Sequence, residues 1–421
     1  MKPESRWARW AASLGPGLVF ALTVSGPGSF VSNAAAGATY GYSLVWALAF
    51  TVVFRYAWLT TSAKYVLVTG ETLLDGYRRL GRSLVWLVLG ATVVVRHLSN
   101  MYKVVLLGEC VHLLLPLPFA WSARFWSLFS VCLAFAMVFW GGYPTIERFC
   151  KILVALMTAG LAVAAFLSHP DYSSLGRALI LPGLPANRGA YDAVFLVMAL
   201  IGTEAGSITN LTYSYFLRAK GWSSAADLPR QRVDLFSSIA CILVLGTLVQ
   251  VAAAASVHPL GIKLRNAEDL VRIFSESLGL AGRLIFGAGM WASAFSGFIG
   301  GTTGYALMIV DIGRQGLLKT KERIVSKKPT PETRRDPFFR WSVVFWSFSP
   351  LYVLFTTWEP VYLVLMLNAL MVVLVPVLAI ALLKLTNDKS LLGERTNGWP
   401  ANLTLVTMIV TSIWLMIRNF R

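Results

Sequence analysis

Eleven apolar stretches recur along the chain, near residues 12–36, 42–68, 83–114, 121–141, 150–168, 190–217, 233–256, 281–312, 341–357, 360–384 and 401–419. Each is long enough to cross a bilayer as a helix, which takes roughly 20 residues. The polar runs between them are short, so the pattern predicts an all-α integral membrane protein without a soluble domain. Two stretches are interrupted. The first holds SGPGS at 25–29, a proline between two glycines, and the sixth holds GTEAGS at 202–207. They lie five spans apart, and an odd number of spans per repeat puts the two copies in opposite orientation. Interrupted helices at matching places in two inverted halves point to the central site of a secondary transporter.

A break in mid-membrane has to be compensated, because unpaired backbone N–H and C=O groups are costly in hydrocarbon. Pro27 removes one backbone hydrogen bond, and Gly26 and Gly28 permit backbone angles closed to other residues. Solute, water or neighbouring side chains must satisfy the freed groups. Close helix packing is the plainer account of glycines in a single membrane helix. Two breaks in register favour a transport site instead.

Composition agrees with the spans. Hydrophobic residues make up 56% of the chain and charged residues 14%, against about 25% charged in ordinary soluble domains. The balance of 37 Lys and Arg against 20 Asp and Glu leaves a net charge of +17, which invites a nucleic-acid reading. The basic residues sort by side, however. With the N-terminus inside, 24 fall on cytoplasmic segments, 9 on outer segments and 4 within spans. That asymmetry is the positive-inside rule and predicts a cytoplasmic N-terminus and an outer C-terminus. No nucleic-acid partner is expected.

The organisation follows: a first repeat over 1–168, an outer linker over 169–189, a second repeat over 190–385 carrying a cytoplasmic loop at 313–340, and a loop with a final helix over 386–421. The N-terminal MKPESRWARWAASLGPG shows no removable signal peptide. Cys110, Cys132, Cys150 and Cys241 lack CxxC spacing, so neither disulfides nor a zinc site is expected. No catalytic constellation appears at useful spacing, so the chain is not read as an enzyme, and no cofactor is expected.

Longer runs then carry a resemblance. GPGLVFALTVSGPGSFVSNAAAGATYGYSLVW (15–46) resembles the first span of the Nramp family of proton-coupled divalent-metal transporters, whose break reads Asp-Pro-Gly-Asn before a phenylalanine, an AGA and a YGYSLLW-like run. KYVLVTGETL (64–73) is similar to the second span, WASAFSGFIGGTTGYALMIVD (291–311) to the eighth, and VPVLAIALLKLTNDKSLLG (375–393) to the end of the tenth. The resemblance covers most of the chain. It implies the LeuT-type fold, with two inverted five-helix repeats, broken helices one and six, and here an eleventh helix.

The family's functional residues transfer only in part. Its metal-binding aspartate falls on Gly26 and its asparagine on Ser29, while Pro27 and Gly28 keep the break. In the sixth span its Met-Pro-His falls on Gly206, Ser207 and Ile208, and Thr203 takes the place of a carbonyl ligand. The tenth-span glutamine falls on Asn368. The third span's proton-path Asp and Glu fall on His97 and Asn100.

What remains around the breaks is small and neutral: Thr23, Gly26, Gly28, Ser29, Thr203, Gly206, Ser207 and Asn368. Without the sulfur and the aspartate, tight binding of manganese or iron is not expected. The first reading is a divalent cation carried partly hydrated, as magnesium is, with Glu204 as the one candidate metal-binding carboxylate. The plainer reading of Glu204 is a structural ion pair with Arg96, Lys103 or Arg55. The second reading is a small anionic or zwitterionic solute, a carboxylate or amino acid, held by backbone amides at the breaks. Arg96, Asn100 and Lys103 share one face of the third helix and, with His97, form a candidate coupling network. A third reading is a non-transporting sensor. The expected partners are a small solute or ion and the bilayer, with no obligate protein partner, and the expected location is a bacterial inner membrane.

Overall fold

The computed structural model describes residues 26–140, 143–187, 189–205, 208–213, 217, 221–312 and 334–419. Thr23, Gly206, Ser207 and the loop residues 313–333 lie outside the described residues. Fourteen α-helices of eight residues or more organise the described residues: α1 (Pro27–Tyr40), α2 (Val45–Thr69), α3 (Leu73–Leu80), α4 (Arg82–Leu114), α5 (Ser122–Trp140), α6 (Tyr143–Leu167), α7 (Tyr172–Ile180), α8 (Ala193–Glu204), α9 (Leu228–Ser256), α10 (Ala267–Ile312), α11 (Pro337–Phe348), α12 (Pro360–Met371), α13 (Val375–Asn387) and α14 (Trp399–Asn419). Eight helical segments among the described residues are long and apolar enough to cross a membrane. Large apolar side chains such as Trp86, Phe166 and Leu280 stand exposed on the outside of the bundle, where hydrocarbon takes the place of water.

Local chemistry sets the helix ends. Helix α1 starts with Pro27 in its first turn, where a missing N–H costs nothing. It ends at Tyr40, four residues past the apolar run that predicts it, and is stopped by Gly41 (φ 58°). Helix α2 stops at left-handed Gly70 (φ 69°). The Asp192 carboxylate caps α8 by accepting from the N–H groups of Val194 and Phe195 at 2.7 and 3.1 Å. The segment predicted as a plain outer linker folds into α7, because Asp171 accepts from the N–H groups of Ser173 and Ser174. Helix α10 bends sharply at Gly279 (φ 54°), so its first part lies outside the span predicted to begin at 281. The ninth span is completed after α11 by a 3-10 turn over Ser349–Phe355, begun by Pro350.

Two groups of helices pack internally. Helices α1, α2, α8 and α9 form one, and α4, α5, α10 and α11 form the other, with α12 set against α1, α4 and α8 between them. The contact of α8 with α12 is close enough to exclude a side chain. A Cβ on Gly202 would stand 1.6 Å from the Asn368 carbonyl oxygen, so only glycine fits there.

Candidate functional site

The two interrupted helices meet. Helix α8 ends at Glu204, and α1 begins at Pro27 and carries Ser29 in its first turn. The Ser29 hydroxyl donates to Glu204 Oε1, bridging the two breaks across 175 positions of sequence. The other carboxylate oxygen, Oε2, is held by Nη1 of Arg55 on α2. All three residues are buried, Glu204 at 1% exposure and Arg55 at 3%. The arrangement is electrostatically coherent. The last turn of α8 carries a partial negative charge, and a carboxylate there adds to it, so a cation is required nearby. Arg55 supplies that cation.

The Ser29 linkage continues away from Glu204. Asn33, one turn along α1, donates from Nδ2 to the Ser29 carbonyl at 2.8 Å. Its Oδ1 accepts from Nε2 of Gln250 on α9 at 2.8 Å. Gln250, Asn33, Ser29, Glu204 and Arg55 thus form an unbroken polar chain through α9, α1, α8 and α2. Buried polar groups are normally paired in this way, since leaving one unpaired costs its full desolvation. Sequence reasoning did not single out Asn33 or Gln250. The available signals were the four-residue spacing of Asn33 from Ser29 and a lone glutamine in the apolar run LGTLVQVAAAA.

On the adjacent face of α1, Asn368 of α12 donates from Nδ2 to Ser32 Oγ at 2.9 Å and to the Gly28 carbonyl at 3.4 Å. A Cβ at Gly28 would meet the Tyr102 hydroxyl at 3.3 Å, Asn368 Nδ2 at 3.6 Å and Thr203 Oγ1 at 3.7 Å. The start of α1 is therefore ringed by neutral oxygen and amide groups from α4, α8 and α12. Gly26 caps α1, and its carbonyl accepts from the Ser29 N–H at 3.0 Å. Among the described residues no group of three or more His, Cys, Asp or Glu is placed to hold a metal ion.

The predicted coupling residues on α4 fall in the second helix group. Arg96 donates from Nη2 to the Phe298 carbonyl at 2.7 Å and to Thr302 Oγ1 at 3.1 Å. It lies where a Cβ on Gly301 would sit 1.9 Å from its Nη1. Asn100 donates to the Trp346 carbonyl at 2.7 Å. Lys103 donates to Ser99 Oγ at 2.7 Å, and its ammonium stands 5.3 Å from the Tyr102 ring centroid. His97 turns away, its ring nitrogens 3.0 Å from Ser349 Oγ and 3.3 Å from the Tyr352 hydroxyl. Of the three ion-pair partners expected for Glu204, the contact is therefore with Arg55. Glu109, on α4 as well, accepts the Ala267 N–H at 2.9 Å.

Comparison with known proteins places this geometry. A divalent metal cation transporter of Aeromonas hydrophila is 25% identical over 302 residues, covering 69% of this chain and 70% of that protein. One from Yersinia enterocolitica is 26% identical over 293 residues, with the same coverage. Among solved structures, a manganese transporter of Eremococcus coleocola superposes with a TM-score of 0.65 at 14% identity, covering 98% of this chain and 87% of that one. A nucleobase-cation-symport-1 family transporter gives 0.57 at 11% identity, covering 97% and 91%. These likenesses are to the LeuT-type fold, with two inverted five-helix repeats, broken helices one and six, and an eleventh helix. The family model for natural resistance-associated macrophage protein-like proteins matches residues 17–420, and this chain belongs to that family, Nramp.

Proposed function

We propose that this protein is an alternating-access carrier of a divalent cation, which it holds partly hydrated and through oxygen atoms alone. The observation that carries the reading is the junction of the two breaks at the Glu204 carboxylate, one buried anion with the neutral hydroxyl oxygens of Ser29 and Thr203 at the start of α1. Family membership and relatives named as divalent metal cation transporters support the cargo class. The donor set supports the finer point. Hard oxygen ligands with a single carboxylate suit an ion that keeps several waters, such as magnesium, and offer nothing soft to select manganese or iron. Transport would proceed by one helix group rocking against the other around the junction, in a bacterial inner membrane with the N-terminus inside.

The test is uptake into proteoliposomes. Magnesium flux is expected, with manganese bound no more tightly than magnesium, and Glu204→Gln should abolish it. Tight manganese binding by calorimetry would refute the hydrated-ion reading, and unchanged flux in the variant would remove Glu204 from the site.

A second reading is favoured by the excess of buried cations. Arg55 pairs with Glu204, while Arg96 and Lys103 of α4 are buried without a carboxylate contact among the described residues, Lys103 and Pro27 both lying near Gly297, and the start of α1 carries a partial positive charge. A small carboxylate or amino acid would suit that field. In that case Gly26→Asp should abolish binding of the solute, found by a thermal-shift screen of amino acids and carboxylates. Binding that survives the substitution rejects the second reading. A protein that binds but never moves solute would be a sensor.

A further inference from the structure

We infer that Arg55 is a tethered stand-in for the cargo cation: it holds the Glu204 carboxylate when cargo is absent and must give it up when cargo binds. The inference rests on the divalent-cation reading above and assigns the residue that sets affinity within it. Three observations lead to it.

The first is how lightly Arg55 is held. A guanidinium carries five N–H donors, yet the contact of Nη1 with Glu204 is its one hydrogen bond among the described residues, and its Nε is buried with no partner there. A buried ion pair that serves only structure needs its remaining donors satisfied to offset desolvation. Arg96, whose Nε is also buried without a partner among the described residues, is nonetheless held at one terminal nitrogen by two helix carbonyls and a threonine hydroxyl, with a tyrosine ring 5.6 Å away. Among the described residues Arg55 has a single acceptor, the Glu204 carboxylate.

The second is position. Glu204 closes α8 and Ser29 opens α1, so the carboxylate that Arg55 occupies lies at the meeting point of the two breaks. Arg55 itself comes from α2, an unbroken helix. Its side chain can swing without unwinding backbone, whereas Glu204 is fixed at a helix end.

The third is charge. With Arg55 in place the pair is neutral, and Arg96 and Lys103 of α4 are buried without a carboxylate partner among the described residues, Lys103 and Pro27 both lying near Gly297. A dication entering beside an intact pair would find neutral hydroxyls but no free carboxylate. Entry becomes favourable when Arg55 leaves the carboxylate, so binding is an exchange of one cation for another. Release is the reverse, with Arg55 returning to displace the ion. This exchange keeps cargo affinity low enough for turnover and prevents the site from standing as a bare buried carboxylate between cycles.

Magnesium chloride binding measured by calorimetry on purified protein tests this, alongside flux in proteoliposomes. Arg55→Gln should bind magnesium at least tenfold more tightly than the parent, while its maximal flux falls, because the returning cation is gone. Arg55→Lys, which keeps the charge but not the fork, should lie between the two. It also guards against the Gln variant failing to fold. Equal affinity in Arg55→Lys and the parent, or weaker binding in either folded variant, overturns the inference. If the parent and both variants bind no divalent cation, the cation reading fails and the inference with it, which separates the two failures.

Discussion

Gly202→Ala tests the closest backbone approach at the site. The added methyl carbon would lie 1.6 Å from the Asn368 carbonyl oxygen and 2.6 Å from its carbonyl carbon. Cβ atoms keep at least 3.0 Å from such neighbours, so α8 and α12 must part by about an ångström or more. The obstacle is main chain on both sides, and no rotamer change relieves it. Overpacking of this kind costs about 1–3 kcal/mol, and a clash with rigid backbone belongs at the upper end. The displacement also draws Asn368 away from Ser32 Oγ, 2.9 Å from its Nδ2, and so loosens the ring of groups around the start of α1. Thermal unfolding in detergent should show a lowered midpoint, and flux should fall in proportionately greater measure. Gly90→Ala is the control. No heavy atom lies within 4 Å of a Cβ at that position in α4, so the change should be neutral or stabilising by up to about 1 kcal/mol from helix propensity. If Gly202→Ala melts and transports like Gly90→Ala, the helices are not in contact at Gly202 and the argument fails.

Glu204→Gln should destabilise the fold by about 3–5 kcal/mol, because Arg55 is left buried and charged without a counter-ion. Replacing both residues with methionine should recover most of that loss in the same unfolding assay. Equal losses in the single and double variants would show that the pair carries no coupling. The helix cap at Asp171 makes a pH-dependent prediction. Hydrogen bonds from Ser173 and Ser174 hold its carboxyl well below the usual carboxylate range. A depressed folded-state pKa stabilises above the unfolded value, near pH 4, and the contribution drains away as pH falls below that towards the folded value. Amide exchange at Ser173 and Ser174 should therefore lose protection on acidification below about pH 4, and in Asp171→Asn it should become insensitive to pH once intrinsic exchange rates are divided out. Unchanged pH dependence in that variant would refute the cap assignment.

Much of this architecture was legible in the residues. Glycine and proline punctuation marked the breaks, because those residues alter backbone geometry wherever they sit. Glu204 was marked by its rarity, since an ionisable group in a span needs a reason. The choice of its partner was not legible. Arg55, Arg96 and Lys103 were equal candidates along the chain, and the selection depends on how α2 and α4 are rotated about their axes, which periodicity leaves open. Asn33 and Gln250 escaped for a related reason: each looks like an isolated polar defect in an apolar run until α9 is laid against α1. Helix α7 escaped because its capping aspartate sits in a stretch rich in glycine and proline, which reads as loop.

The polar chain from Gln250 to Arg55 also bears on how such a sequence can diverge. Three of its links, Gln250 to Asn33, Ser29 to Glu204 and Glu204 to Arg55, join side chains on different helices, so a change at one of these positions strands a buried group on another helix. Substitutions accepted one at a time elsewhere in the apolar shell would be eliminated here. Positions 29, 33, 55, 204 and 250 are therefore expected to vary as a block among relatives, with intermediates poorly populated. Gly26, where the resemblance puts the family's aspartate, and the Arg–Glu pair at 55 and 204 would then be parts of one exchange of charge, and neither would be expected in a relative that lacks the other.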